Sequence, residues 1–257
     1  MSKKTDRSFD GIAVKFSKNI YDSSKGKIRQ QVLLRDLKLL PEFGTGCRVL
    51  DVGAGQGQLA LQLAQQGHPV DLTDISSEML AIAREQALSL GIDNVSFRQL
   101  SLAQLAEKNA GPYQLVLCHA MLEWLAEPQL ALKQLRSLVA PGGVLSLMFY
   151  NKDAKRFANV VFGNFDYVEA DLQVKKKVSL NPQHPLEPQQ VYSWCSDAGF
   201  SVLSKTGVRC FHDYLREPAM QLSHYEQLLA LELRYNQTEP YASLGRYQHL
   251  LLRADSN

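Results

Sequence analysis

The stretch Arg48-Val49-Leu50-Asp51-Val52-Gly53-Ala54-Gly55-Gln56-Gly57, followed by Leu59-Ala60-Leu61-Gln62-Leu63-Ala64, decides the fold. Residues 48–53 read as a short apolar strand that runs into a glycine-rich turn, and residues 59–64 continue at helical spacing. Glycines let such a turn run tight and let a ligand approach the backbone beside the helix N-terminus.

Outward from this turn the chain alternates strand and helix. Residues 69–74 read as a second strand ending at Asp74. A helix capped by Ser76 or Ser77 then runs to a stop at Gly91, with Met79, Leu80, Ile82, Ala83, Ala87 and Leu90 as its apolar residues. Residues 95–100 and 113–118 form strands three and four. A helix from about 128 to 139 leads through Pro141-Gly142-Gly143 to a fifth strand at 144–150. Near-continuous apolar strands separated by helices imply an α/β fold, doubly wound, with a mostly parallel sheet. Residues 151–188 break the rhythm with Lys175-Lys176-Lys177 and the prolines Pro182, Pro185 and Pro188, and read as one long functional loop. Further on are a helix at 188–198, a strand at 200–211, a helix at about 218–234 and a last strand at 242–252.

Composition narrows the class. Of 257 residues, 45% are hydrophobic and 21% charged, which is ordinary for a globular chain. A net charge of +2 leaves any nucleic-acid contact to a local patch. There is no apolar run of about 20 residues and no apolar segment behind Lys3 and Lys4, so neither a membrane span nor a secretory signal is expected. Cys47, Cys118, Cys195 and Cys210 are scattered without Cys-x-x-Cys spacing. They predict reduced thiols in a cytoplasmic protein, with no metal and no disulfide.

Two ligand classes compete for the turn. A dinucleotide fingerprint spaces its glycines G-x-G-x-x-G with an acid about 20 positions on. Here the spacing is G-x-G-x-G, with Asp51 just ahead of it. A carboxylate there repels a pyrophosphate but suits a ligand carrying an ammonium and a sulfonium. Asp74 is placed to accept ribose hydroxyls and fits either ligand. A nicotinamide-dependent oxidoreductase is thus the disfavoured reading.

Residues 51–57 resemble the first motif of class I S-adenosylmethionine-dependent methyltransferases. Asp74, the fourth strand and Pro141-Gly142-Gly143 extend that resemblance over about 48–150, the cofactor-binding core of a Rossmann-like domain. Further strings resemble one branch: Phe16-Ser17-Lys18-Asn19-Ile20-Tyr21, His119-Ala120-Met121-Leu122-Glu123-Trp124, Gly163-Asn164-Phe165-Asp166-Tyr167-Val168, Phe211-His212-Asp213-Tyr214-Leu215-Arg216 and Leu244-Gly245-Arg246-Tyr247. They resemble the bacterial tRNA methyltransferases that esterify 5-carboxymethoxyuridine at the wobble position of the anticodon.

The resemblance implies a single methyltransferase domain over 1–257, with N-terminal helices and substrate-recognition insertions at 151–187 and 212–240. It places S-adenosylmethionine contacts on Arg29, Asp51, Gly53, Ala54, Gly55, Asp74, Leu102, Ala103 and His119. Leu102 and Ala103 belong to a short loop, where a shift of one residue moves the contact to Gln104. Ala54 stands where the family carries a glycine, which suits contacts made through the backbone. Read alone, Arg29 could also pair with an acidic neighbour, though an arginine ahead of the first strand suits the cofactor's carboxylate. An isolated His119 is more often a structural histidine, a preference the resemblance reverses.

The implied partner is a tRNA anticodon loop, whose unstacked base offers a face for aromatic side chains. Lys152, Arg156, Tyr167 and the lysine run are candidate RNA contacts. A carboxylate nucleophile is already ionised near neutral pH, so no general base is expected. Candidates to hold it are Arg209, Arg216, Arg246 and Tyr214. A methyltransferase acting on a small carboxylic acid or other metabolite is the alternative.

Overall fold

A computed structural model describes residues 23–40, 44, 46–173 and 184–256. The string at 16–21 and the lysine run at 175–177 lie outside them, as does any helix before residue 23. In chain order the elements are α1 (Ser24–Lys38), β1 (Val49–Val52), α2 (Gln58–Gln65), β2 (Val70–Asp74), α3 (Ser77–Ser89), β3 (Val95–Gln99), α4 (Leu102–Glu107), β4 (Tyr113–His119), α5 (Pro128–Leu138) and β5 (Val139–Tyr150). They continue with α6 (Lys152–Val161), α7 (Phe165–Glu169), α8 (Pro188–Asp197), β6 (Phe200–Val208), α9 (Met220–Ser223), α10 (Tyr225–Tyr235), α11 (Tyr241–Leu244) and β7 (Tyr247–Ala254).

Seven strands form one sheet in the order β3-β2-β1-β4-β5-β7-β6. The first five are parallel, and β7 inserts antiparallel between β5 and β6. Continuous apolar strands supply both faces through their period of two. Leu50, Val52, Val116 and Cys118 point into a core closed by α4, α5 and α8. Their alternates Val49, Leu115 and Leu117 point into a second core closed by α1, α2, α3 and α10.

The structure departs from the sequence reading in the segments that follow β5. Residues 152–161 and 165–169 are helices rather than part of a long loop. Asn151 caps the first of these by accepting from the N–H groups of Asp153 and Ala154. Apolar Ala154, Phe157, Ala158 and Val161 recur at helical spacing in the first of these, but only the two alanines are buried, and Phe157, Val160, Val161, Phe162 and Phe165 are exposed. Strand β6 stops at Val208 because Arg209 takes a left-handed backbone, φ 61°. The helix expected over 218–234 breaks at His224, and residues 241–244 are helical, so β7 begins at Tyr247.

Gly57 ends the turn with φ 68°, and a Cβ placed on it would sit 2.1 Å from Leu72 Cδ1 in the core. Gly57→Ala should therefore lose about 2–4 kcal/mol of stability from left-handed strain plus overpacking. Thermal or urea denaturation checks this, and a loss below about 1 kcal/mol would contradict it.

Candidate functional site

Two cavities open at the carboxyl ends of β1, β2 and β4, and Gly53 lines both. The larger, of about 320 Å³, is walled by Asp74, Ile75, Ser101, Leu102, Ala103, Met121 and Leu130, among others. The smaller, of about 80 Å³, is walled by Arg29 and Gln30 from α1, by Asp51, Gly53 and Ala54 from the turn, and by His119. Gly53 has φ 65°, and a Cβ there would meet Met121 Sδ at 2.8 Å, so the shared floor must lack a side chain.

The local sequence explains the placements. Asp74 ends β2 and accepts the N–H of Gly55 through one oxygen and the N–H of Ser76 through the other, both at 2.8 Å. The turn and the α3 N-terminus are thereby tied to one carboxylate, which still has lone pairs for further donors. Gly55 shapes this turn and lines neither cavity. Leu102 and Ala103 are not loop residues, as expected, but the first turn of α4. Ser101 caps that helix, and the Gln104 side chain turns back to accept the Ser101 N–H at 2.9 Å. Leu102 and Ala103 line the larger cavity, and Gln104 does not.

The donor set fits S-adenosylmethionine. An apolar cavity with a carboxylate suits an adenosine and its vicinal diol. A small polar cavity with a guanidinium, a carboxyl group and an imidazole suits an amino-acid zwitterion. Burial, reinforced by the nearby Asp74 charge, pushes the Asp51 carboxyl up to about 8. Burial, with His249 and Arg29 near, holds His119 well below the usual histidine range, so its ring is neutral. Glu123, buried on the turn at Leu122–Trp124, is pushed up to about 8 by burial.

Of the four candidate carboxylate binders, the structure joins two directly. The carboxylate of Asp213 is shared by Arg209 at 3.1 Å and Arg246 at 3.7 Å. Burial alone would raise that carboxyl, but Arg209, His212 and Arg246 hold it down to about 2. The Arg209 guanidinium lies over the Tyr247 ring at 5.4 Å and that of Arg246 over Tyr150 at 4.9 Å, with the two rings 5.4 Å apart. Tyr214 stands nearby, but its hydroxyl is already committed to the carbonyl of Leu244 at 2.8 Å. Arg216 is exposed in the next loop and does not share Asp213.

Sequence reading missed three members of this cluster. Asp213 was quoted only as part of a string. Tyr150 read as a strand residue, yet its buried hydroxyl makes no hydrogen bond among the described residues. Lys155, on the unforeseen α6, sets its ammonium 5.7 Å from the Tyr150 ring and 5.5 Å from that of Tyr167.

Two buried side chains aim the cluster. The Glu232 carboxylate accepts the backbone N–H of Cys210, Phe211 and His212 at 2.8, 3.0 and 2.9 Å, fixing the loop between Arg209 and Asp213. Asn151 donates to the carbonyls of Ser243 and Gly245 at 2.8 and 3.0 Å, fixing the approach to Arg246. Lys152 and Arg156, candidates for RNA, are held instead by Asp171, Glu187 and Asp153.

Asp51 supplies a prediction with a definite sign. Its folded pKa, about 8, lies above the model-compound 3.8, so the fold favours the protonated acid. This group therefore takes away stability progressively as pH rises from about 4 to about 8. A cationic ammonium beside it should restore ionisation, so S-adenosylhomocysteine binding at pH 7 should release up to about one proton. Calorimetry in buffers of different ionisation enthalpy measures this. Asp51→Asn should abolish the release, and proton uptake in the wild type would refute it.

The matching family model is described as a methyltransferase domain and covers residues 44–199. The chain is 49% identical over 251 residues, 96% of each chain, to the tRNA 5-carboxymethoxyuridine methyltransferase of Escherichia coli strain K12. It is 32% identical over 163 residues to a ubiquinone biosynthesis O-methyltransferase of Pseudomonas paraeruginosa, spanning 63% of this chain and 68% of that one. The fold matches the crystal structure of magnesium protoporphyrin IX methyltransferase from Synechocystis PCC 6803 with bound SAH. That match has a TM-score of 0.66, 20% identity and 96% coverage of each chain. With the methyltransferase-domain match and near full-length identity to the Escherichia coli enzyme, the chain belongs to the tRNA 5-carboxymethoxyuridine methyltransferase family.

Proposed function

We propose that this chain transfers a methyl group from S-adenosylmethionine to the carboxylate of 5-carboxymethoxyuridine at the wobble position of tRNA, giving the methyl ester. The observation that carries the reading is the Arg209–Asp213–Arg246 cluster over the Tyr150 and Tyr247 rings, at the same edge of the sheet as the cofactor cavities. It gathers cations, an unpartnered hydroxyl and aromatic faces, as an aromatic base bearing an acid requires. The near full-length identity to the Escherichia coli enzyme supports the same substrate. A tRNA substrate puts the protein in the cytoplasm. Among the described residues no helix is long and apolar enough to cross a membrane, and no three His, Cys, Asp or Glu are grouped to hold a metal ion.

Bound S-adenosylmethionine supplies an electrophilic methyl on a sulfonium. The protein's own contribution is alignment, because an in-line displacement by an ionised carboxylate needs no proton transfer. Arg209 and Arg246 identify the substrate charge. Their sharing of Asp213 keeps them from neutralising the incoming carboxylate fully, which preserves its nucleophilicity. Tyr150 and Tyr247 give the base a stacking surface, and the neutral His119 adds no positive charge beside the cofactor's cationic groups. The segments 151–187 and 212–240 bring Lys155 and Asp213 to this cluster; Arg209, Arg246, Tyr150 and Tyr247 flank them at the ends of β5, β6 and β7.

Incubation with S-adenosylmethionine and tRNA lacking the final methyl, followed by nucleoside mass analysis, tests the assignment. A methyl ester that mild alkali returns to the acid is expected. Methylation of a small carboxylic acid with such tRNA left inert would overturn it.

Single-turnover rates should stay nearly flat from about pH 6 to 8, since carboxylates of this kind titrate near 4. Arg209→Gln and Arg246→Gln should each slow methylation by about 10–100-fold, a loss of roughly 1.5–3 kcal/mol of charged hydrogen bonding, with S-adenosylhomocysteine affinity unchanged. Arg216→Gln should have little effect on the chemical step. Normal rates in both of the first two variants would remove the cluster from the mechanism.

A further inference from the structure

Behind His119 runs a chain of buried hydrogen bonds that methyl transfer does not itself use. His119 Nε2 meets Ser146 Oγ at 2.8 Å, Ser146 Oγ meets His249 Nε2 at 2.8 Å, and His249 Nδ1 meets Asp36 Oδ2 at 2.7 Å. Asp36, Ser146 and His249 are fully buried, and they come from α1, β5 and β7. The far end is anchored: Arg35 Nε donates to Asp36 Oδ1 at 2.7 Å, and Gln237 Nε2 donates to the same oxygen at 3.2 Å. The Arg35 guanidinium also reaches the Leu233 carbonyl at 2.9 Å and Asn236 Oδ1 at 2.8 Å.

The direction of each bond follows from proton bookkeeping. Burial alone would raise the Asp36 carboxyl, but His249 and Arg35 hold it below the usual carboxylate range, so it is an acceptor. His249 must then donate through Nδ1. Arg35 already pairs with the Asp36 carboxylate, so one proton on His249, at Nδ1, satisfies the His249–Asp36 bond. With that proton on Nδ1, the Nε2 of His249 is the acceptor and Ser146 donates to it. The Ser146 oxygen is left to accept, and His119 donates to it through Nε2. The remaining nitrogen of His119, Nδ1, is an acceptor on a ring that lines the small polar cavity.

We propose that Asp36, His249 and Ser146 are positioning residues that lock His119 in its Nε2–H tautomer and so present Nδ1 as a hydrogen-bond acceptor for the amino-acid ammonium of the bound cofactor. This rests on the S-adenosyl reading of the two cavities. The relay works as outer partners do around ligating histidines, where the bond made by one ring nitrogen fixes the role of the other. It also explains why a serine and a histidine, both polar, occupy fully buried positions on the central strands β5 and β7.

Two measurements test it. Long-range 1H–15N spectra of the ligand-free wild type should show His119 with a protonated Nε2 and a pyridine-like Nδ1; the reverse tautomer would overturn the proposal. Isothermal titration should then compare S-adenosylhomocysteine with 5′-methylthioadenosine, which lacks the amino-acid end. Ser146→Ala should weaken the first by about tenfold, the worth of one net hydrogen bond, and the second by less than about twofold. Equal losses for both ligands would reduce the relay to a packing role and overturn it. Failure of both ligands to bind the wild type would instead overturn the cavity reading, and the proposal with it.

Discussion

Strands β1 and β4 lie side by side, yet the chain leaves them toward opposite edges of the sheet, β1 to β2 and β4 to β5. No connection covers the gap at their carboxyl ends, and a crevice there is a geometric necessity of double winding. The rest of the molecule is arranged around that opening. The glycine turn keeps its floor low, Asp74 ties its two rims, and α1 closes one side with Arg29. The antiparallel β7, reached from β6 through α9, α10 and α11, starts at Tyr247, with Arg246 just before it, at the carboxyl end of β5.

How far the sequence discloses this depends on the range of the interactions involved. The turn, Asp51 and Asp74 are legible because their chemistry is written in consecutive residues. Arg209 and Arg246 are legible as charges but not as a pair, since Asp213 joins them only after β6 and β7 have folded together. The relay was invisible: Asp36 and His249 are 213 positions apart, and each looks unremarkable among its neighbours. Helices 152–161 and 165–169 were hidden for another reason. In 152–161 the apolar period is carried on the buried side only by the small Ala154 and Ala158 while the larger residues face outward, and 165–169 is five residues long with none buried.

Two buried side chains, Glu232 and Asn151, divide the labour between the halves of the site. Neither touches a cofactor cavity. Each gathers backbone groups from a loop that would otherwise be free to vary, and each sits on an element outside the 48–150 core. The cofactor cavities and the arginine–tyrosine cluster are therefore supported by different sets of contacts. A shared methyl donor with varied acceptors calls for this separation, because a fold used for many substrates keeps its core and changes its appended segments.

The backbone at Arg209 has a consequence of another kind. Its φ of 61° costs a residue with a Cβ roughly 1–2 kcal/mol, and the three N–H groups gripped by Glu232 just beyond it hold the chain in that conformation. Under selection for stability alone, position 209 would drift to glycine or asparagine, which adopt this conformation at little cost. The arginine there keeps its charge at the expense of backbone ease, so under the proposed role of Arg209 a glycine in its place would relax the turn while removing the cation.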